Sequence, residues 1–421
     1  MRYLYLCLVV VACSEFFYLI PMESDRLAGG LKLGDLALGL LLPGVMLLIY
    51  KEQERSILFN LFTWLVVILF FFIALQAGMA SLNYNQSISS GLVTSRKYWF
   101  YLSFVLFVFL LDDSKKAAKF LDMLSWIAIG LFVLAIINYF FPVVFHHKWA
   151  EGHNVRAGMK RAFIPGMDVL TAAAIWQFTK WIEYYGSRVR SGWATAIIYA
   201  AHVFRQSRGR LLSLTLVIIG MLIFKRRYKE SFIAALVALM GFAVLQYTMP
   251  ENILEYAFES TAEDLTEGTG TWGGRMVDLE RDLDYFLENI YFGDGLAVLR
   301  LSEGGGYSQK EIDAMKELAG TDDLGYSRWL RNFGVIGMFW LASLFYFFMS
   351  RIFRANKLLR KEEDRVMVVF VYSYCGFMAI SLVTLNHLML PPRILFLCFC
   401  AAMLVRINWN AMKERNKRAA L

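Results

Sequence analysis

The sequence is dominated by apolar runs that approach the length of a membrane-spanning helix. A helix needs about 20 apolar residues to cross the roughly 30 Å hydrocarbon core of a bilayer. Of the 421 residues, 58% are hydrophobic and 19% are charged, against about 45–50% and about 25% in soluble proteins. This composition excludes a soluble enzyme and predicts an all-α integral membrane protein with about twelve transmembrane helices. The twelve runs are 3–21, 31–50, 56–76, 98–111, 119–145, 166–185, 192–204, 211–224, 231–249, 329–350, 366–386 and 388–407.

Basic residues predict how these helices are oriented. Cytoplasmic loops are enriched in Lys and Arg. An even number of crossings puts both termini on one side, and the basic tail from Lys413 to Arg418 predicts that this side is the cytoplasm. The predicted inner segments then carry 23 Lys or Arg residues, and the short outer loops carry 12. We therefore expect a multi-pass protein of the cytoplasmic membrane with both termini inside.

One long polar segment divides the chain into three parts. We expect transmembrane helices 1–9 in residues 1–249, a large outer loop in residues 250–328, and helices 10–12 with the basic tail in residues 329–421. The loop holds 18 Asp or Glu and 6 Lys or Arg residues, so it is too polar for lipid. Helical spacing of apolar residues predicts a helix within Arg275–Tyr291. A capping-box pattern at Ser308–Glu311 predicts a second helix.

Three arginines stand between two short apolar runs. The runs 192–204 and 211–224 have 13 and 14 residues, too few to cross the hydrocarbon core. Their connecting turn is therefore expected below the outer surface, together with Arg205, Arg208 and Arg210. Arginine at membrane depth costs at least about 2.5–3.5 kcal/mol unless it faces a polar cavity or an anion. Two interpretations stay open here: side chains reaching up to lipid headgroups, or a cavity for an anionic lipid headgroup.

Further charged groups stand at the mouths of predicted outer helices. Arg161 belongs to a basic cluster just before Asp168, which we expect either to cap its helix or to pair with Arg161. Arg275 follows a Gly-rich stretch, Gly268–Gly274, that is either an anion-binding turn at a helix start or an ordinary flexible joint. Asp323 lies beside the tenth predicted helix. It is a candidate to orient or deprotonate an attacking hydroxyl, or it simply caps the helix.

Four short motifs, in this order along the chain, resemble those of the bacterial O-antigen polymerases and O-antigen ligases. Leu31–Asp35 opens the second predicted helix, and Ser207–Gly209 lies between two helices in mid-chain. Asn289–Gly295 is similar to the Asn-Pro-x-x-Gly-x-Gly turn of these proteins, without the proline. Asp323–Gly337 is similar to a motif in which a His-Asn or Asp-Asn pair precedes a Tyr and a Gly-x-x-Gly.

The resemblance implies a GT-C-like glycosyltransferase fold and a set of site residues. Arg208 and Arg275 match positions that hold the diphosphate of an undecaprenyl-linked glycan. Asp323 falls where ligases place a His and many polymerases place an Asp, which favours a polymerase, whereas Leu324 departs from the usual Asn. We expect Asp323 and Arg275 to be catalytic. The expected substrate-binding residues are Arg208, Arg205, Arg210, Arg161 and Tyr326.

These expectations define a function and its rivals. The protein would polymerise undecaprenyl-diphosphate-linked oligosaccharides, as donor and acceptor, into a surface polysaccharide with inversion at the anomeric centre. We expect no cofactor, no metal and no nucleic-acid partner; the bilayer is a partner, and a chain-length regulator is a further candidate. The alternatives are an O-antigen ligase that moves the glycan to lipid A core, and a transporter or flippase for a lipid-linked glycan.

Overall fold

The structure is a computed structural model that describes residues 2–14, 18, 35–51, 55–84, 87–141, 144–145, 155–156, 159–160, 162–205, 207–229, 270–296, 325–358, 361–383 and 387–419. Within these residues the fold is helical apart from one antiparallel pair of two-residue strands, β1 (Val155–Arg156) and β2 (Met159–Lys160). The described α-helices are α1 (Arg2–Cys13), α2 (Leu36–Lys51), α3 (Leu61–Tyr84), α4 (Ile88–Thr94), α5 (Ser103–Leu110), α6 (Ser114–Phe140), α7 (Met167–Glu183), α8 (Arg188–Arg205), α9 (Arg208–Phe224), α10 (Gly270–Glu288), α11 (Gly325–Leu358), α12 (Glu362–Ser381) and α13 (Pro391–Ala419). The prediction of an all-α protein is confirmed for this part of the chain.

Several helices have the dimensions of membrane spans. Among the described residues, α3, α6, α11, α12 and α13 are long and apolar enough to cross a bilayer, and α1, α2 and α9 are apolar but shorter. The protein is therefore a multi-pass membrane protein. The expected crossing over 98–111 is instead broken into a 3-10 helix, Ser95–Leu102, followed by the eight residues of α5. The run 231–249 lies outside the described residues.

Helix α13 forms the centre of the bundle. Of its most apolar 18-residue window, 83% is buried inside the protein. The ring of Phe399 lies 5.5 Å from that of Phe107 in α5 and 5.9 Å from that of Phe120 in α6. The Cys398 thiol donates to the Tyr101 carbonyl oxygen at 3.4 Å. Because this helix is enclosed by its neighbours, polar side chains on it face protein rather than lipid.

Segments predicted on the cytoplasmic side gather at one end of the bundle. The guanidinium group of Arg2 lies 4.0 Å from the carboxylate of Asp112, and Arg406 donates to the Asp112 carbonyl oxygen at 3.0 Å. Lys361 and Glu414 form an ion pair of 2.8 Å. We call this the terminal end, because the starts of α1 and α6 meet the last turns of α13 here.

The turn between α8 and α9 lies at the opposite end. Helix α6 runs away from the terminal end, and Tyr139 in its last turn packs its ring 6.1 Å from that of Phe204 in α8. The backbone amide of Ala162 donates to the Phe204 carbonyl oxygen at 3.4 Å. Asp35, at the start of the second predicted helix, and Arg96, in a predicted outer loop, form an ion pair of 3.0 Å. We call this the far end.

The helix predicted within Arg275–Tyr291 is confirmed as α10, which begins earlier, at Gly270. The turn that follows it packs tightly on α11. The amide of Asp294 donates to the Arg331 carbonyl oxygen at 2.7 Å. Gly334 interrupts α11 with φ 60° and ψ −158°, and a Cβ there would come within 2.5 Å of the Tyr291 carbonyl oxygen. Only glycine fits this close approach of two backbones.

The same turn also contacts α3. Gln76 in α3 donates its side-chain amide to the Phe292 carbonyl oxygen, and Asn83 donates to the Asp294 carbonyl oxygen at 3.2 Å. Gly295 has φ 95°, and a Cβ there would meet the Ala80 backbone nitrogen at 2.7 Å. The motif Asn289–Gly295 therefore fastens the end of α10 to two helices of the bundle. The predicted capping box at Ser308–Glu311 lies outside the described residues.

Candidate functional site

Two arginines meet one carboxylate at the far end of the bundle. Asp168 lies in the first turn of α7, after Gly166, whose φ of 68° starts the helix from a left-handed residue. Arg210 in the first turn of α9 and Arg393 in the first turn of α13 each place a guanidinium nitrogen 3.2 Å from Asp168 Oδ1. Both arginines are 6% exposed. Three separate helices thus deliver these charges to one point.

This ion-paired group opens onto a cavity of about 240 Å³, here called the Asp168 cavity. Arg205, at the end of α8, also lines it; its guanidinium group donates to the Ala162 carbonyl oxygen at 3.3 Å and lies 5.3 Å from the Phe163 ring centre. The full lining is Ser14, Ile164, Gly166, Met167, Asp168, Arg205, Ser207, Arg210, Leu390, Pro392 and Arg393. Three guanidinium groups and one carboxylate leave the cavity with two positive charges.

The electrostatics of this cavity suit an anion. Buried charges are costly unless they are paired and hydrogen-bonded. Asp168 neutralises one arginine, so a ligand that brings about two negative charges would balance the remainder. Arginine presents parallel N–H donors that match phosphate oxygens, and it stays charged at any physiological pH. The arrangement can therefore bind a phosphate or diphosphate group and stabilise charge that develops on it.

Two buried histidines lie close to this group. His202 in α8 lies in the electrostatic field of Arg210 and Asp168, and His387, before α13, lies in that of Arg393, Asp168 and Arg210. The His387 ring bonds the hydroxyl of Ser381. In the part of the chain that the structure describes, no group of three or more His, Cys, Asp or Glu side chains could hold a metal ion.

Two of the arginines at the Asp168 cavity, Arg205 and Arg210, are predicted binding residues, and the structure brings them together. Arg205 and Arg210 both line the Asp168 cavity. Arg208 is the first residue of α9, and its side chain lies outside what the structure describes. Arg161 and Asp323 also lie outside the described residues, so their predicted roles stay predictions.

Two other predicted site residues lie elsewhere. Arg275 is in the second turn of α10, and Tyr326 in α11 donates its hydroxyl to the Ala379 carbonyl oxygen at 3.2 Å. Neither lines the Asp168 cavity. The prediction that Gly268–Gly274 forms an anion-binding turn or a flexible joint before a helix starting at Arg275 is wrong from Gly270 onward, because Gly270–Gly274 already belong to α10. Gly268 and Thr269 lie outside the described residues.

The depth of the three arginines in the membrane stays a prediction. Helices α8 and α9 have 18 and 17 residues, which is about 27 and 26 Å at 1.5 Å per residue. This is still less than the roughly 30 Å of the hydrocarbon core. Of the two interpretations, the structure places Arg210 inside the protein, where it is buried and paired with Asp168.

Arg393 is a site residue that the sequence does not predict. By sequence it is only one cation of a short outer loop, and Asp168 is predicted to cap its helix or to pair with Arg161. The available signal was its position directly after Pro391 and Pro392, which favour a helix start. Twelve uncharged residues, 394–405, follow it, and an arginine beside such a run has either a charged partner or a path to the membrane surface. In the structure the partner is Asp168.

A second buried ionic cluster joins α10 to α11. Asp282 in α10 accepts hydrogen bonds from the Ser327 hydroxyl at 3.0 Å, from Arg328 at 3.3 Å and from Arg331 at 3.2 Å. Arg331 is 2% exposed and also lies 3.6 Å from the carboxylate of Asp294. Burial raises the pKa of Asp294, and the nearby Arg331 opposes this rise. All of these charges are satisfied within the protein, so the cluster positions α10.

No protein-family model matches the chain, and no curated protein matches it significantly. The functional argument therefore depends on the residues themselves: a multi-pass helical bundle with a buried, doubly cationic cavity at one end.

Proposed function

We propose that the protein is a glycosyltransferase of the bacterial cytoplasmic membrane that extends a polysaccharide from undecaprenyl-diphosphate-linked donors. The observation that carries the proposal is the convergence of Arg205, Arg210 and Arg393 on the Asp168 cavity, inside a bundle of apolar helices. A lipid-linked diphosphate combines the two properties that this site requires. Its charge matches the arginines, and its polyprenyl chain matches the surrounding bilayer.

A neighbouring apolar cavity supports a lipid-linked donor. It has a volume of about 370 Å³ and lies between α9, α11 and α12. His387 and Leu388 line this apolar cavity, whereas Leu390, two residues further on, lines the Asp168 cavity. The two cavities thus share the short segment before α13 as a wall. In the proposal, the diphosphate occupies the Asp168 cavity and the first isoprene units occupy the apolar one.

The reaction needs only what this arrangement can supply. An acceptor sugar hydroxyl attacks the anomeric carbon of the donor, and the bond from that carbon to the diphosphate oxygen breaks. The electron pair leaves with undecaprenyl diphosphate, where fixed guanidinium groups stabilise the growing charge. We assign the hydroxyl proton to Asp323 as general base and Arg208 to the diphosphate. Arg275 does not line the Asp168 cavity, so its predicted contact with the diphosphate has no part in this step. Attack from the face opposite the leaving group inverts the anomeric centre.

The remaining architecture belongs to the same proposal. Twelve transmembrane helices in a GT-C-like fold would place the terminal end in the cytoplasm and the far end, with residues 250–328, in the periplasm. Donor and acceptor glycans would then meet on the outer face of the membrane. Arg161 and Tyr326 would contact the glycans.

Incubation of the purified protein with a synthetic undecaprenyl-diphosphate oligosaccharide tests this function. A ladder of longer glycans is the expected product. Transfer onto lipid A core, without a ladder, would make the protein a ligase. Movement of the intact lipid across a vesicle membrane, without transfer, would make it a flippase and overturn the proposal.

Two variants of α8 make the test specific for the cavity. Arg205→Gln removes a charge that lines the Asp168 cavity. Arg188→Gln removes the same charge at the other end of the helix, where Arg188 stacks 4.9 Å from the Trp181 ring centre. Elongation should fall in the first variant and be retained in the second. Equal activity in both would remove Arg205 from the site.

A further inference from the structure

A third cavity lies at the terminal end, remote from the Asp168 cavity along the helices that form both. Its volume is about 580 Å³, and helices α6, α7 and α8 form its walls. Glu183, the last residue of α7, pairs with Lys225 and with Arg365 at the terminal end. The α6–α8 cavity therefore opens near the membrane surface on the side of the chain's basic tail.

The charged wall of this cavity carries one net positive charge. Asp122 in α6 accepts hydrogen bonds from Lys180 at 2.8 Å, from the Trp176 indole at 2.9 Å and from Gln177 at 3.2 Å. Lys180 and Asp122 thereby neutralise each other. Arg190, in the first turn of α8, is exposed and adds the remaining charge to the lining.

An aromatic ring packs against the Arg190 side chain at the cavity. Its guanidinium carbon lies 4.8 Å from the ring centre of Trp126, which is 56% exposed. Ser187 and Ser191 line the same wall, and Ser187 is exposed, so its hydroxyl can donate to an anion. Exposed tryptophans beside basic residues are typical of headgroup depth in a bilayer.

The lining changes from polar to apolar along two of the helices. Ser187, just before α8, and Arg190 line the cavity first, followed by Trp193 and Ile197 of α8. Helix α6, which also starts at the terminal end, presents Asp122 and Ser125 before Trp126 and Ile129. Both helices therefore become apolar in the same direction, away from the terminal end. This gradient has the polarity of a phospholipid, with a charged headgroup followed by acyl chains.

We infer that the α6–α8 cavity binds an anionic glycerophospholipid, with its phosphate at Arg190 and its acyl chains against Trp193 and Ile197. Basic pockets between helices on the cytoplasmic side are known sites for anionic headgroups. The net charge of the cavity favours a lipid with a net negative headgroup over a zwitterionic one. The inference requires the membrane placement of the protein and is independent of the proposed glycosyl transfer.

Native mass spectrometry of the purified full-length protein tests this site with three probes. The probes are dioleoyl phosphatidylglycerol, dioleoyl phosphatidylcholine and free sn-glycerol 3-phosphate. The anionic lipid should bind about tenfold tighter than the zwitterionic one, which corresponds to one charge-assisted hydrogen bond. Free glycerol phosphate should show no binding at the same concentration. Equal binding of the two lipids, or binding of free glycerol phosphate as tight as that of the lipid, would overturn the inference.

Variants assign the binding to the cavity. Arg190→Gln should lose the preference for the anionic lipid, whereas Arg415→Gln, which removes one exposed charge from the last turns of α13, should keep it. Trp193→Ala should weaken the binding of both lipids, because it removes an apolar side chain from the wall of the cavity. All three residues are exposed, and a thermal unfolding scan checks that each variant is folded. A preference that survives Arg190→Gln would place the lipid elsewhere and refute the assignment.

Discussion

Arg393→Gln is the sharpest perturbation of the proposed donor site. The substitution removes one of the three guanidinium groups around the Asp168 cavity and keeps a polar side chain of similar length. Asp168 retains its ion pair with Arg210 at 3.2 Å, so the carboxylate is not left buried and alone. The net charge of the cavity falls from two positive charges to one.

The size of the effect follows from the bonds lost. A hydrogen bond to a charged group contributes about 1.5–3 kcal/mol, which corresponds to roughly 10- to 140-fold in an equilibrium constant at about 1.4 kcal/mol per factor of ten. If the bond strengthens as charge develops on the leaving diphosphate, the loss appears in kcat as well as in KM. We therefore expect kcat/KM for the lipid-linked donor to fall at least about tenfold.

The assay is the initial rate of ladder formation as a function of donor concentration at fixed detergent. Arg406→Gln is the matched control, because Arg406 lies on the same helix, about 20 Å away at 1.5 Å per residue. Arg406 is also largely buried, at 8% exposure, and bonds the Asp112 carbonyl oxygen at the terminal end. A general weakening of α13 would affect both variants, whereas loss of a diphosphate ligand affects only Arg393→Gln.

Two results would refute this reasoning. One is an Arg393→Gln variant whose kcat/KM stays within about threefold of wild type, equivalent to less than about 0.7 kcal/mol. The other is an Arg406→Gln variant that loses as much activity as Arg393→Gln at the same protein stability. Either outcome would make Arg393 a partner of Asp168 with no part in binding the donor.

Three further predictions address the acceptor side and the fold. Asp323→Asn should lower kcat about 100-fold or more, as expected for loss of a general base, and leave donor binding intact; unchanged turnover would make Asp323 a helix cap. Gly334→Ala should lower the unfolding temperature clearly, because a Cβ would lie 2.5 Å from a backbone oxygen at φ 60°, whereas Gly376→Ala, with nothing within 4 Å, should not; similar values would contradict the tight turn. Burial raises the pKa of Asp294 above 3.8, so the folded state binds its proton more tightly than the unfolded state does. The stability of wild type relative to Asp294→Asn should therefore increase as the pH falls from neutral through the raised pKa towards 3.8, and a constant difference would argue against a buried carboxyl.

Periodicity and run length predicted most of the described helices, because each run must bury or immerse its apolar side chains. Eleven of the twelve runs coincide at least in part with a described helix. The length of the run did not predict the structure of residues 98–111, which form part of a 3-10 helix followed by α5. Most residues of this run are buried against neighbouring helices. A segment buried by protein has the same apolar composition as one that crosses lipid, so composition does not distinguish the two.

The sequence predicted only those residues of the candidate site that lie close together in one segment. Arg205 and Arg210 are neighbours in sequence, and charges within an apolar region mark a site without further information. Arg393 is 225 residues from Asp168, and the pairing of two distant charges depends on how α7 and α13 pack. No pattern within a single sequence segment predicts how these two helices pack. For the same reason the ionic contacts of Asp282 with α11 were not foreseen.

Helix α13 completes the charge of the Asp168 cavity, and it is synthesised after α7, α8 and α9. Asp168 and Arg210 can pair as soon as α9 has been made, which leaves a single excess positive charge from Arg205. The second arrives with Arg393, on the helix that the rest of the bundle encloses. A chain that lacks this helix therefore keeps one excess positive charge instead of two. Under the proposed function, it would bind a lipid diphosphate more weakly than the whole bundle does.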